Sequence, residues 1–455
     1  MKPLPIIDAA LIKVTGVFSY KKKQIPSFIS AGYNNIPLTE NLPPSDASDY
    51  DQRLKREKEN TRNFYRDTYY REFSSLMFTG ESDGKGMRGL QRKTEFTVGI
   101  TLGFGDKARQ VDVICTQQEL FLFDNETGIL SLTFKPSQHT FEYLSDLTFG
   151  LRSFDTKLIF SGNTLAFHEF ISKEVLCNIP LRGANVQADD YSGSKFKIYT
   201  VINTVEPDDG KLYSRDYLVY EIGTASRIGT MEEQGYNAPS LSYYEELMQN
   251  SIKVFNNYTG LALLDSFTII GTGVFQYKES NYFSYNTYNR VYFAIYIYNL
   301  FLRYNLFRFN AIFSENPVKV RDEFEGFVNH YNFSHISFNF LPNIFYKKIH
   351  DALGIDAEIE QFEKRLGKLA ASIQEDQEKR QAALLGLVSL LTGLSSVNDI
   401  LDILEKVRVQ VNWSSGLFYS SLVILVLFLS VPVLSYLFPE NAKKIKRRLF
   451  KNRKK

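Results

Sequence analysis

The chain is poor in the residues that build metal centres and covalent staples. Two cysteines, Cys115 and Cys177, in 455 residues cannot make a disulfide framework and fit a reducing compartment. Of the five histidines, His330 and His335 are five apart, off the i, i+4 pairing of a helix, and no cysteine stands near them. No G-x-S-x-G, P-loop or H-E-x-x-H pattern occurs. The sequence therefore offers no catalytic residue and no metal set, and the chain reads as a non-enzyme. It also lacks an apolar leader, because Lys13 falls inside the only candidate. The expectation is a cytosolic body with no signal peptide. A basic face is missing too. Lys+Arg total 53 against Asp+Glu 51, yet the last 17 residues hold nine of the cations and one Glu. What remains is acidic, which excludes a body built to bind nucleic acid.

What is present is foldable: 44% hydrophobic and 23% charged residues, with a length suited to two or three units. Residues 1–50 are turn-rich, and Asp51 to Glu72 reads as an exposed charged helix. Short β-branched and aromatic runs fill 95–222, among them QVDVICT, ELFLFD, KFKIYTVIN and YLVYEIG, so this stretch predicts a mostly antiparallel sheet. From 240 to 350 the reading turns helical. Val291 to Leu302 is apolar for only 12 residues, too short to span a bilayer, and predicts a buried helix. The body is thus an α+β unit over 1–350.

Beyond it, Ile359, Phe362, Leu366, Leu369 and Ile373 recur at steps of three and four, a coiled-coil-like stripe on a stalk helix over 355–381. One copy leaves that stripe without a partner, which predicts self-association. Leu417 to Phe438 carries no charge in 22 residues, with Trp413 and Tyr436 near its ends as interface rings, so 415–438 predicts a membrane helix. The basic tail, 439–455, favours the cytosolic side. With the body also cytosolic, an even number of crossings is required. The remaining candidate is 382–404, joined to the second helix by an outer loop, 405–414. Ser389, Thr392, Ser396, Asp399 and Asp402 fall at spacings 3, 4, 3, 3 and form one polar stripe on it. Carboxylates in hydrocarbon face a bundle interior or water. The stripe reads as pore-lining, or else as one side of an interfacial helix.

A cytosolic α+β body, a stalk running into a first membrane helix, a short loop, a second helix and a basic tail resemble the CorA family of divalent-cation transporters. The resemblance covers roughly His330 to Lys455 and implies a pentamer in the inner membrane, with both termini cytoplasmic. The family's Gly-Met-Asn signature is missing: the loop reads EKVRVQVNWSSG, with Asn412 but no methionine. The chain is similar in this to a divergent branch beside type III CRISPR systems. That likeness implies an antiviral membrane effector opened by a nucleotide messenger, an AMP–S-adenosylmethionine conjugate being one candidate, with Mg the alternative ligand.

One further motif points at such a ligand. Gly84 to Gly89 matches G-x-G-x-x-G but precedes a strand, which rejects a dinucleotide fold. The loop is still basic, and Lys85, Arg88, Arg92 and Lys93 are the residues placed to hold a phosphate. Acidic pairs at Asp189-Asp190 and Asp208-Asp209 suit a divalent cation instead. The leading expectation is a ligand-gated channel or transporter, and its rival a membrane-anchored scaffold without a pore.

Overall fold

The computed structural model describes residues 2–36, 63–78, 86–93, 95–102, 109–182, 195–206, 210–233, 238–273, 287–314 and 316–411. The chain divides into two units, Met1–Gln361 and Phe362–Lys455.

The first unit is organised by a sheet whose centre lies where the sequence reads as turn-rich. Ile7–Ser19 forms strand β1. Pro3, Pro5 and Pro26 flank this run without interrupting it, so its ladder keeps every N–H donor it needs. β1 pairs antiparallel with β6 (Thr127–Lys135) on one side and β9 (Lys197–Thr204) on the other. Beyond β6 come β5 (Arg109–Leu122), β4 (Phe96–Leu102), β7 (Lys157–Phe160) and β8 (Asn163–Ala166). The second half of β5 also pairs with β3 (Arg88–Arg92), which carries β2 (Asn34–Asn35). Beyond β9 come β12 (Ser266–Thr272), β11 (Tyr258–Ala262) and β10 (Ser251–Ile252). Among the described strands only β9 and β12 pair in parallel. The sheet is mixed, and antiparallel everywhere else.

Several sequence expectations need correction. QVDVICT and ELFLFD are one strand, because the irregularity between Cys115 and Gln117 is a bulge and not a turn. YLVYEIG is helical, within Arg215–Thr224; Leu218 to Gly223 are all buried there, so no one-sided period marks it as a helix. The 251–272 stretch, expected helical, supplies β10 to β12. The described part of the charged 51–72 segment is helical over 63–68 and from 71 on, but it is exposed on one side only, since Tyr65, Thr68 and Tyr69 are buried. Gly89 lies in a strand and not a loop.

Period-two alternation sorts β1 onto two faces. Ile12, Val14 and Phe18 join the main apolar core, covered by α1 (Phe141–Arg152) and α2 (Arg215–Thr224). The opposite face is covered by α3 (Tyr292–Ile312), over which lie α4 (Pro317–Tyr331) and α5 (Phe340–Ala352). Phe301 of α3 stacks on Phe123 with ring centroids 3.8 Å apart, and Tyr292 stacks on Phe345 at 3.8 Å. Tyr292 to Leu302 are buried without exception. The short apolar run is therefore a core helix, as its length requires.

Gly354 adopts a left-handed φ of +64° and closes α5. Helix α6 (Ile355–Val411) then runs for 57 residues, about 85 Å at 1.5 Å per residue. It begins in the first unit and continues in the second. Ile359, Phe362 and Leu366 are buried within a single chain, while Leu369 and Ile373 are half-buried. The second membrane helix at 415–438, Trp413, Tyr436 and the basic tail lie outside the described residues.

Candidate functional site

Of the four cations of the basic stretch, three are described. Lys85 lies outside the described residues, as do Asp189-Asp190 and Asp208-Asp209. Arg88 and Arg92 sit four apart on β3 and so share a face, but Arg92 is used internally. Its Nη1 donates to the Ala31 carbonyl at 3.0 Å, its Nη2 to the Glu174 carbonyl at 2.7 Å and to Gln118 Oε1 at 2.6 Å. The guanidinium also lies 4.7 Å from the Tyr33 ring centroid. It ties β3 to two neighbouring segments, a structural duty. Arg88 donates from Nε to Asn35 Oδ1 at 3.2 Å, and Lys93 follows the strand as an exposed residue.

The polar stripe on α6 is fully displayed. Ser389, Thr392, Ser396, Asp399 and Asp402 are all exposed. Thr392 Oγ1 donates to the Val388 carbonyl at 2.9 Å and Ser396 Oγ to the Thr392 carbonyl at 3.0 Å. These hydroxyls satisfy themselves along the helix and need no outside partner. The stripe is not purely polar. Leu385 lies seven residues before Thr392 and Ile403 seven after Ser396, so both share its side. Leu384, Leu387, Val388 and Leu391 are exposed as well. The helix contains a long apolar stretch, none of it buried. It is the one helix among the described residues long and apolar enough to cross a membrane.

A third arrangement was not anticipated from the sequence. Lys13 of β1 is 0% exposed, and its Nζ lies 2.7 Å from Glu119 Oε2 of β5 and 4.3 Å from the ring centroid of Phe293 on α3. The strand register places Thr133 beside Lys13, and Ser131 beside both Thr15 and Glu119. The Ser131 and Thr133 hydroxyls, both buried, have no hydrogen-bond partner among the described residues. Farther along, Lys197 of β9 pairs with Asp265, which precedes β12. Burial raises the Asp265 carboxyl, but the Lys197 charge and hydrogen bond, with Arg152 added, carry it below its ordinary value. Arg152 caps α2, its guanidinium bonded to the carbonyls of Gly223 and Thr224. Lys13 and Glu119 are thus a buried ion pair between the sheet and α3, and Lys197 and Asp265 a half-buried pair farther along. A signal existed: Lys13 and Glu119 are charges set inside strand-like apolar runs.

Further polar contacts lie at the root of α6. Arg303 of α3 is bonded to the Leu353 carbonyl and lies 4.0 Å from Glu358. Asn310 Nδ2 donates to Glu358 Oε2 at 3.2 Å. The stretch of α3 from Phe293 to Asn310 thus connects the sheet to the first turn of α6. Among the described residues no group of three or more His, Cys, Asp or Glu could hold a metal ion. No protein family, curated protein or solved structure matches this chain.

Proposed function

We propose that the chain is a membrane protein in which a ligand-sensing body drives a conducting helix. The observation that carries this reading is the unburied apolar stretch on α6, continuous with a helix rooted by Arg303 in the body. A long exposed apolar surface on a helix is disfavoured in water. Residues 382–403 span about 33 Å, which suits a hydrocarbon core of about 30 Å. On this reading Ser389, Thr392, Ser396, Asp399 and Asp402 line the pore of a homo-oligomer, and 415–438 returns the chain to the cytosolic side. The rest is supported by the CorA-like arrangement alone. It comprises a pentamer in the inner membrane, gating by a nucleotide messenger or Mg, and a place in CRISPR-linked antiviral defence.

Gating needs a state-dependent connection between body and helix, and a packed junction with two discrete arrangements supplies one. Moving a pore from about 1% to 99% open takes about 5.5 kcal/mol of differential ligand binding, summed over subunits. Ion flux from liposomes tests the reading. Wild type should conduct, and Asp399→Ala/Asp402→Ala should change the rate or selectivity. Equal background leakage in both would leave a membrane-anchored scaffold. Leu385 and Ile403 on the polar side favour that second reading, since they interrupt a continuous wet face.

A further inference from the structure

At the root of α6 lies a histidine whose two ring nitrogens both face acceptors. His350, on α5, is buried; its Nδ1 lies 3.0 Å from Asn299 Oδ1 of α3 and its Nε2 3.0 Å from Asp356 Oδ1 of α6. The Asn299 amide is oriented by the helix, because its Nδ2 donates to the Ile295 carbonyl at 2.9 Å. A carbonyl can only accept, so the oxygen of Asn299 must be the atom turned to His350. Nδ1 therefore carries a proton. An ionised Asp356 is also acceptor-only, so Nε2 must carry one as well. The arrangement is complete only for an imidazolium.

We infer that His350 is a protonation-controlled latch that ties the first turn of α6 to α3 and α5. Charged, it bridges Asn299 and Asp356. When it loses a proton, Nδ1–H keeps Asn299, and the bare Nε2 lone pair faces the carboxylate. Asp356 is then released, and its side chain, already 75% exposed, passes to water without obstruction. The latch is therefore closed while the ring carries both protons and open once Nε2 is bare. The regulatory consequence rests on the channel reading above, because only then does freeing the root of α6 alter conduction.

The other charged and titratable groups around the ring do not replace it. On α5, Tyr346 lies with its ring 5.1 Å from His350 and donates its hydroxyl to the Phe333 carbonyl, and Asp351 is exposed. On α3, Arg303 is held by Leu353 and Glu358. On α6, Glu358 is shared by Arg303 and Asn310. On the strands packed against α5, Tyr258 is buried and Lys253 pairs with Asp216. Arg303 is a permanent tie, and His350 is the conditional one.

Hydrogen–deuterium exchange on the full chain in lipid nanodiscs tests this directly, read over 350–361 at pH 6.0 and 8.5 and corrected for intrinsic exchange. An ion pair with one exposed partner should shift local opening by roughly two- to five-fold between these pH values. Asp356→Asn should remove that dependence, since an amide can accept from a protonated ring and donate to a neutral one. Asp351→Asn should behave as wild type. Equal corrected protection at both pH values in wild type would overturn the latch, and so would a pH dependence that survives in Asp356→Asn. This readout is independent of conduction: tight vesicles with a responsive root would remove the channel and keep the latch.

Discussion

Two helical segments of this chain are both rich in apolar residues, one in aromatics and the other in leucine, and they are treated in opposite ways. Helix α3 is 21 residues long and buried along nearly its whole length, with the sheet on one side and α4 and α5 on the other. The 382–403 part of α6 is of similar length and displays Leu384, Leu385, Leu387, Val388, Leu391, Ile400 and Ile403 at 44–68% exposure. The two differ in hydropathy, and they differ as sharply in cover. Phe123, Tyr199 and Phe267 of the sheet meet α3 ring against ring, while nothing among the described residues covers 382–403. An apolar helix surface that the described residues leave bare calls for cover from elsewhere, and a bilayer is the simplest cover for the broad apolar part of it beside the polar stripe.

The largest way to break that comparison is to charge the bare helix. Leu387→Arg/Leu391→Arg should cost about 5–7 kcal/mol of insertion, at about 2.5–3.5 kcal/mol for each Arg near a helix centre. Flotation with liposomes should be lost while the circular dichroism of the body is unchanged. Unfolding of the body instead would mean that these leucines are core residues after all.

The reciprocal experiment is Phe301→Ala in α3. Loss of its stacked contact with Phe123 should destabilise the body by about 3–5 kcal/mol, the usual range for a buried phenylalanine. Denaturant unfolding reads this, and flotation should persist. A comparable loss is expected from Lys13→Met, because it strands the buried Glu119 carboxylate; breaking one side of such a pair costs about 3–5 kcal/mol. Lys13→Met/Glu119→Leu should recover most of it. Failure of the double variant to recover would show that the pair is needed for more than mutual neutralisation.

The smallest effect concerns Glu221 on the far side of the sheet. Burial raises its carboxyl above the ordinary value, against hydrogen bonds from the Met231 N–H and the Tyr213 hydroxyl. A raised folded-state value stabilises the fold at pH below the unfolded value, and that contribution is lost as the pH climbs through the folded one. Stability should therefore decline on going from acid toward neutral pH, and Glu221→Gln should flatten the profile. An unchanged slope would assign the pH dependence to other groups.

The parts of the fold legible in the sequence were those with an uninterrupted period or length. The Val291–Leu302 run is too short for a bilayer and is a buried helix; the 355–405 stretch has no proline and is one helix. The parts that misled are those buried on more than one side. Leu218 to Gly223 show no helical face because every side of α2 is covered, and β1 escaped notice because its prolines flank the strand. The basic stretch Arg88 to Lys93 displays its charges in sequence but not their use: Arg92 is consumed by carbonyls from Ala31 and Glu174, which only the tertiary fold brings near. The contacts Lys13–Glu119 and Lys197–Asp265 likewise come from strand pairing, and they join residues 106 and 68 positions apart in the chain.

The central claim, that the bare part of α6 enters a bilayer, is tested most directly by depth. Nitroxide labels at Leu384, Leu387, Leu391, Ile400 and Ile403, on a chain whose Cys115 and Cys177 are replaced, can be read in liposomes by oxygen and polar-quencher accessibility. Insertion across the membrane predicts the greatest depth at Leu391, with shallower values toward Leu384 and Ile403. One shared depth of roughly 5–10 Å at all five sites, the signature of a helix lying in the interface, would contradict it.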